Sequence, residues 1–249
     1  LEKSLPQLRQ ELERNAAQGI HRYFFQDATF NHPLPRAKKI LELLQTIPGK
    51  KIEWIAYARV DQIDDEFLTL AKNSGCRALF FGIESGDESV LRSMKKGFTP
   101  AQALAAVKKT KGYGINVTAS WIVGYPDEQP QSLSLSLACM EEMGANRNYI
   151  NSFVTYQQTP ADKTFGELPI SGELRLTTTE FIEKALQKGI KLGSIFDSFL
   201  LSHANLQEDE MTSFLHLSQA PVLSEPENKE LLALSDRIFQ CGATHPIFQ

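Results

Sequence analysis

The apolar run 78–83 ends abruptly in Glu84, Ser85 and Gly86, and this one stretch limits the folds open to the chain. A short apolar run bounded by turn signals reads as a buried strand. Strands of that kind belong to parallel sheets covered by helices. The same layout recurs on either side. Strands are expected over 20–25, 52–58, 115–123 and 149–155, each with a polar residue or glycine at its C-terminal end. Between them lie helical patterns over 35–45, 64–73, 99–111 and 130–143, preceded by one over 5–17. Asp64 is placed to cap one helix, with Asp65 and Glu66 in its first turn. Thr99-Pro100-Ala101-Gln102 reads as a capping box with proline at the first helical position. In 130–143, Leu133, Leu137 and Met140 share a helical face, although the Ser-Leu-Ser-Leu alternation also fits a strand.

Regular alternation of strand and helix implies parallel strands joined by right-handed crossovers, an open sheet or partial barrel. Five strands are too few for a closed eight-stranded barrel. The leading helix is expected to be the tail of a preceding strand–helix unit, so the first strand is read as missing. Beyond Gln158 the pattern changes. A loop rich in proline and glycine (159–172) precedes three helical stretches, 179–192, 206–217 and 226–239. The expected division is therefore a strand–helix core over 1–172 and a helical appendage over 173–249, whose acidic runs read most simply as a solvated face.

Charge and cysteine usage exclude several classes. The 249 residues carry a net charge of −4, which gives no general grip on nucleic acid or an anionic membrane. The six bases and no acids between Ser89 and Pro126 fit a solvated helix face, flanked by acids that cancel their field. No apolar run approaches the roughly 18 residues of a membrane helix. The N-terminus does not read as a signal peptide, and because it starts with Leu1 the true start is expected upstream. Three widely spaced cysteines (Cys76, Cys139, Cys241) suit a reducing, cytoplasmic setting better than a disulfide framework. Neither they nor the five histidines show metal-ligand spacing, and no phosphate loop or nucleophile elbow is present. Cys76 could be a nucleophile, but a small buried residue at a strand start is the simpler reading.

The strand ends carry the chemistry. Asp27, Arg59 with Asp61, Glu84 with Ser85, Ser120 with Gly124, and Thr155 with Tyr156 would converge on one rim, where ligands of parallel sheets sit. Such a rim suits a ligand bearing hydroxyls, an amine and a carboxylate. Glu84 can accept from a diol, Asp27 can meet an ammonium, and Arg59 or a nearby lysine can hold a carboxylate. Each residue taken alone could equally be a cap, a turn residue or a surface ion pair.

Gly82-Ile83-Glu84-Ser85-Gly86, followed by Val90-Leu91, Met94-Lys95-Lys96-Gly97 and Thr99, resembles the fourth strand and following loop of radical S-adenosylmethionine (SAM) enzymes. The resemblance is strongest to the branch often fused to cobalamin-binding domains, which includes methylthiotransferase-like members. Phe24 to Phe30 resembles the second strand and its acidic end, Trp54 to Asp61 the third, and Ser120 to Glu128 the fifth with its turn. The match covers about residues 1–160.

By this resemblance the fold is a partial (β/α)6 barrel lacking its first strand, followed by the C-terminal helical region. Glu84 would bond the SAM ribose, with Ser85 beside it. Asp27, with the backbone of Phe25 and Gln26, would meet the methionyl amino group. Arg59, Ser120 and Lys96 would contact the methionyl carboxylate or ribose, and Ile122, Val123 and Gly124 would pack on the adenine. The implied cofactors are SAM and a [4Fe–4S] cluster, with room for cobalamin in an upstream domain. Reductive cleavage of SAM would give a 5′-deoxyadenosyl radical for hydrogen abstraction, or serve radical methyl transfer. The implied partners are a small-molecule or peptide substrate and a reductant such as flavodoxin or ferredoxin.

Two departures stand out. The family's Cys-x-x-x-Cys-x-x-Cys cluster loop would fall just before Leu1, and Cys76, Cys139 and Cys241 cannot replace it locally. The usual Pro-Gly-Thr after the sixth strand appears as Gln158-Thr159-Pro160. Two other readings therefore stay open: a non-catalytic SAM-binding or scaffold module, and a cluster-free α/β enzyme with a nucleotide at the same rim.

Overall fold

Five parallel strands lie side by side in the order in which they occur in the sequence. The computed structural model describes residues 3–155, 158, 160–166 and 171–193, together with 210, 213, 224–227, 229, 230, 233 and 234. The chain runs α1 (Leu5–Ala17), β1 (Arg22–Phe25), α2 (Leu34–Leu44), β2 (Glu53–Ala58), a 3-10 turn (Val60–Gln62), α3 (Asp65–Asn73) and β3 (Cys76–Glu84). It continues through α4 (Glu88–Ser93), α5 (Pro100–Gly112), β4 (Asn116–Val123), α6 (Pro130–Met143), β5 (Arg147–Ser152), α7 (Pro160–Phe165) and α8 (Gly172–Gln187).

Sequential order separates this sheet from a doubly wound one, where the strand order reverses and helices cover both faces. Crossovers of one hand between successive neighbours place the connecting helices α2, α3, α5 and α6 on the same side. The core accordingly joins one sheet face to the helices. Trp54, Ala56, Leu79, Phe81, Val117, Ala119 and Trp121 pack against Leu12, Leu41, Phe67, Val107 and Met140. The other face carries Phe24, Ile55, Ala78 and Phe80. The architecture is α/β, a partial barrel.

Local chemistry explains the elements. Ser4 and Gln7 form a capping box on α1, as do Thr99 and Gln102 on α5. Asp64 Oδ1 accepts the Phe67 amide at the start of α3, as its position predicts. The segment 130–143 is a helix, with Gln129 and Ser132 exchanging capping bonds and Gly144 closing it in the left-handed region. Its serines alternate in sequence, but Ser132 and Ser136 share the buried side of the helix while Ser134 is exposed.

Two expectations shift. The last strand spans Arg147–Ser152, earlier than 149–155, because Thr118 to Val123 sets its register. The helix expected over 179–192 starts at Gly172, where the Ser171 hydroxyl caps the Leu174 amide, and ends at Gln187. Phe181 and Ala185 are buried in the core, and the Leu192 backbone bridges to Asn148. Asn148 Oδ1 also accepts the Trp121 indole N–H at 2.8 Å, which ties this segment to the sheet interior. The short α4, the 3-10 turn and α7 were not expected. The helices expected over 206–217 and 226–239, and the strand-end residue Tyr156, lie largely or wholly outside the described residues. Among the described residues no helix is long and apolar enough to cross a membrane.

Candidate functional site

The strands are parallel, so their C-terminal ends share one rim, and the geometry there centres on Glu84. Between Gly82 and Glu84, β3 advances two residues while β4 advances one, from Ser120 to Trp121. A bulge of this kind re-aims a side chain. The Glu84 backbone is left-handed, with φ +74°, a conformation uncommon outside glycine. Its Oε1 accepts from Lys96 Nζ at 3.2 Å. Its Oε2 is buried and, among the described residues, has no hydrogen-bond partner.

Lys96 reaches Glu84 because α4 ends in a Schellman motif. The Lys95 amide bonds the Arg92 carbonyl and the Lys96 amide bonds the Leu91 carbonyl, with Lys95 left-handed at φ +57°. The chain thereby doubles back and returns Lys96 to the rim. Arg59 joins the group from β2. Its Nη2 donates to the Lys96 carbonyl at 2.7 Å, while Nε and Nη2 grip both oxygens of Asp61 at 2.8 and 2.7 Å. Glu84, Lys96, Arg59 and Asp61 thus form one connected polar unit across the ends of β2 and β3.

A residue that sequence reasoning missed holds this unit in place. Asn31 is fully buried. Its Nδ2 donates to the Arg59 and Gln62 carbonyls, and its Oδ1 accepts the Arg59 amide, each at 2.8 Å. The only sequence signal was a polar residue ending the aromatic stretch after Asp27. Asn31→Ala is expected to lower the unfolding free energy by about 2–3 kcal/mol, because it leaves the Arg59 amide and the Gln62 carbonyl unpaired and takes one of two donors from the Arg59 carbonyl. Urea denaturation reads this directly, and a loss below about 0.5 kcal/mol would mean that water replaces all three bonds.

The other expected site residues divide. Ser120 is buried on the sheet face that carries Gly82, opposite it in register, and Ile122 follows on the same face, half-buried. Gly124 turns at φ +85° and donates to Glu128 Oε2 at 2.6 Å. Burial pushes the Glu128 carboxyl pKa up, partly offset by that bond. Val123 does not present its side chain to the rim, because it lies in the helix-side core, and Phe25 packs on Phe30 and Trp54.

The Ser85 side chain is also turned away. It is fully buried, and its hydroxyl accepts the Asp87 amide at 3.1 Å and lies 3.4 Å from Ser136 Oγ. Gln26 and Asp27 are exposed at the edge strand and line a separate cavity of about 400 Å³ with residues of α1 and α2. A larger cavity of about 920 Å³ between α6 and α8 touches the rim at Gly124.

The arrangement can hold a polar ligand through an ordered carboxylate with one free oxygen, two cations and a small hydroxyl. Cys76 and Cys139 do not add a cluster site. Cys76 is buried at the start of β3, away from the rim, with its thiol pKa pushed well up by burial, and Cys139 lies on α6. Among the described residues no group of three or more His, Cys, Asp or Glu could hold a metal ion.

Comparison with known proteins gives this geometry its context. The chain is 35% identical over 120 residues to an uncharacterized methyltransferase of Pyrococcus horikoshii, covering 48% of this chain and 26% of that protein. It is 29% identical over 113 residues to a tRNA-2-methylthio-N(6)-dimethylallyladenosine synthase of Dehalococcoides mccartyi, covering 44% of this chain and 27% of that enzyme. The chain therefore spans about a quarter of the length of these relatives. Among solved structures it resembles the radical SAM methyltransferase TsrM of Kitasatospora setae, determined with cobalamin and a [4Fe–4S] cluster. That likeness has a TM-score of 0.59 at 22% identity, over 64% of this chain and 30% of that one. The model of the radical SAM superfamily matches residues 2–137, more than half of the chain and every strand end of the charged unit, and the chain belongs to that superfamily.

Proposed function

We propose that this chain is the SAM-binding portion of a radical SAM enzyme of the methyltransferase and methylthiotransferase type. Enzymes of this superfamily use SAM and a [4Fe–4S] cluster, and act on small-molecule or macromolecular substrates with the help of a reductant. When bound, SAM supplies the hydrogen-abstracting group of the superfamily or a methyl group for transfer. The described residues fit SAM and do not fit the cluster, so the cluster ligands are assigned outside them and no step is drawn through it.

One observation carries the reading. Glu84 Oε2 is buried and, among the described residues, without a partner beside a filled Oε1. Such an oxygen costs about 1–3 kcal/mol until a donor arrives. A ribose diol supplies donors for it. Lys96 and Arg59 then face the methionyl carboxylate, Ser120 and Ile122 the nucleoside, and Gly124 the adenine edge. Asp27, with the backbone of Phe25 and Gln26, takes the amino group once the ligand spans from β3 to β1. In this assignment Ser85 serves the turn rather than the ligand. The core is taken as 1–172, with 173–249 appended to it through α8.

Calorimetric titration tests the assignment. The chain is expected to bind SAM in preference to ATP, and Glu84→Gln to weaken SAM about tenfold, the value of one charge-assisted hydrogen bond. Equal affinity of wild type and variant would remove Glu84 from the site. Preference for ATP would replace the SAM reading with a nucleotide-binding one.

A further inference from the structure

The turn that carries Glu84 lies directly on helix α6, and two serines of that helix hold it. Ser132 and Ser136 are one helical turn apart and both buried. Ser136 Oγ accepts the Gly86 amide at 2.9 Å and sits 3.4 Å from the buried Ser85 hydroxyl. Ser132 Oγ donates to Asp87 Oδ2 at 2.6 Å. Asp87 in turn caps α4 by accepting the Ser89 amide at 2.7 Å. The approach is too close for any side chain at position 86. A Cβ there would stand 2.5 Å from the Leu135 carbonyl oxygen and 2.7 Å from Ser136 Cα. The third serine, Ser134, instead bonds back to the Pro130 carbonyl and is exposed. The two buried serines are therefore not generic helix polarity. They are aimed at the residues that follow Glu84.

We propose that Ser136, assisted by Ser132, is a positioning residue for the candidate ligand site: it fixes Gly86 and Asp87 so that Glu84 keeps its left-handed backbone and aims its carboxylate at the ribose. The inference rests on the SAM reading. A non-glycine residue in the left-handed region persists only where its surroundings over-determine it. Here they do so on both sides, through the β3 bulge before Glu84 and the α6 serines after it. The same turn starts α4, whose C-terminal motif delivers Lys96, so one anchor sets both members of the Glu84–Lys96 pair.

A double-mutant cycle in SAM binding tests this on the full chain. Ser136→Ala is expected to weaken SAM about tenfold in the wild-type background, the usual scale for losing a supporting partner. In the Glu84→Gln background the same change is expected to cost less than about twofold, because the two positions act through one carboxylate. Ser132→Ala should give a smaller loss with the same dependence on Glu84. Thermal melts of all variants report whether each is folded. An S136A chain that binds like wild type, or loses the same factor in both backgrounds, overturns the positioning role while leaving the SAM site intact. A wild-type chain that does not bind SAM, or an E84Q chain that binds as well as wild type, overturns the SAM reading and the positioning role with it.

Discussion

Gly75→Ala is expected to destabilise the fold by about 2–5 kcal/mol, the sum of about 1–2 kcal/mol for a left-handed residue with a Cβ and about 1–3 kcal/mol for overpacking. Gly75 closes α3 and opens β3 at φ +91°. A Cβ there would fall 1.9 Å from the Ile52 carbonyl oxygen and 3.0 Å from the Ile52 carbonyl carbon. Neither atom can swing aside, since both are backbone leading into β2. The Gly75 carbonyl also accepts the Trp54 amide at 3.0 Å, and the Trp54 indole donates to Ser74 at 3.1 Å. Displacing position 75 therefore disturbs the β2–β3 pairing and a fully buried tryptophan together.

The melting temperature should drop by roughly 10 °C at about 2–4 °C per kcal/mol for a chain of this size. Gly114→Ala supplies the control. Gly114 is also left-handed, at φ +76°, but a Cβ there meets nothing within 4 Å. It should lose only the conformational part, about 1–2 kcal/mol. Equal losses at the two positions would show that the clash at Gly75 relaxes freely.

The two glycines also mark what the sequence could and could not reveal. Strand and helix order followed from apolar runs and caps, because burial and backbone hydrogen bonding act locally and leave a local trace. Asp64, the Thr99 box and the 130–143 helix lie where those signals put them. The strand ends were legible as one rim because parallel strands bring their C-terminal ends together. The orientation of their side chains was not. Whether Val123 or Ile122 faces the ligand depends on strand parity, and the parity of Glu84 depends on a bulge with no distinctive residue of its own. Ser85 sits next to the carboxylate in sequence, yet its hydroxyl is taken up by the turn. Asn31 and Ser136 act over 28 and 50 residues of chain, onto Arg59 and Gly86. Contacts at that separation leave nothing in a single sequence to read. The short α4 escaped notice for another reason. It spans fewer than two turns, and its cap, Asp87, is equally at home in a loop.

The second large effect belongs to Gly82, on the same strand as Gly75's neighbour Cys76 but at its other end. Gly82→Ala is expected to leave stability within about 1 kcal/mol of wild type, since alanine suits an extended strand at least as well as glycine. Its φ is not left-handed, and the atoms that a Cβ would meet are the ends of side chains: Glu84 Oε1 at 2.4 Å and Lys96 Nζ at 3.3 Å. Those ends can move, so the fold accepts the methyl group. The site cannot accept it in the same way, because the displaced groups are the carboxylate and ammonium assigned to SAM. Pushing Oε1 aside by about 1 Å breaks its bond to Lys96 and turns Oε2 away from the position assigned to the ribose. SAM affinity should therefore fall by more than the roughly tenfold expected of E84Q, where the side chain keeps its shape and position, because both ends of the Glu84–Lys96 pair are displaced. The melting curve and the binding isotherm together decide the matter. A folded G82A chain that binds SAM as tightly as wild type, beside an E84Q chain that has lost affinity, would show that Glu84 reaches the ligand from a second rotamer clear of residue 82. A G82A chain that loses stability and affinity in equal measure would instead make Gly82 a residue of the fold, in the same class as Gly75.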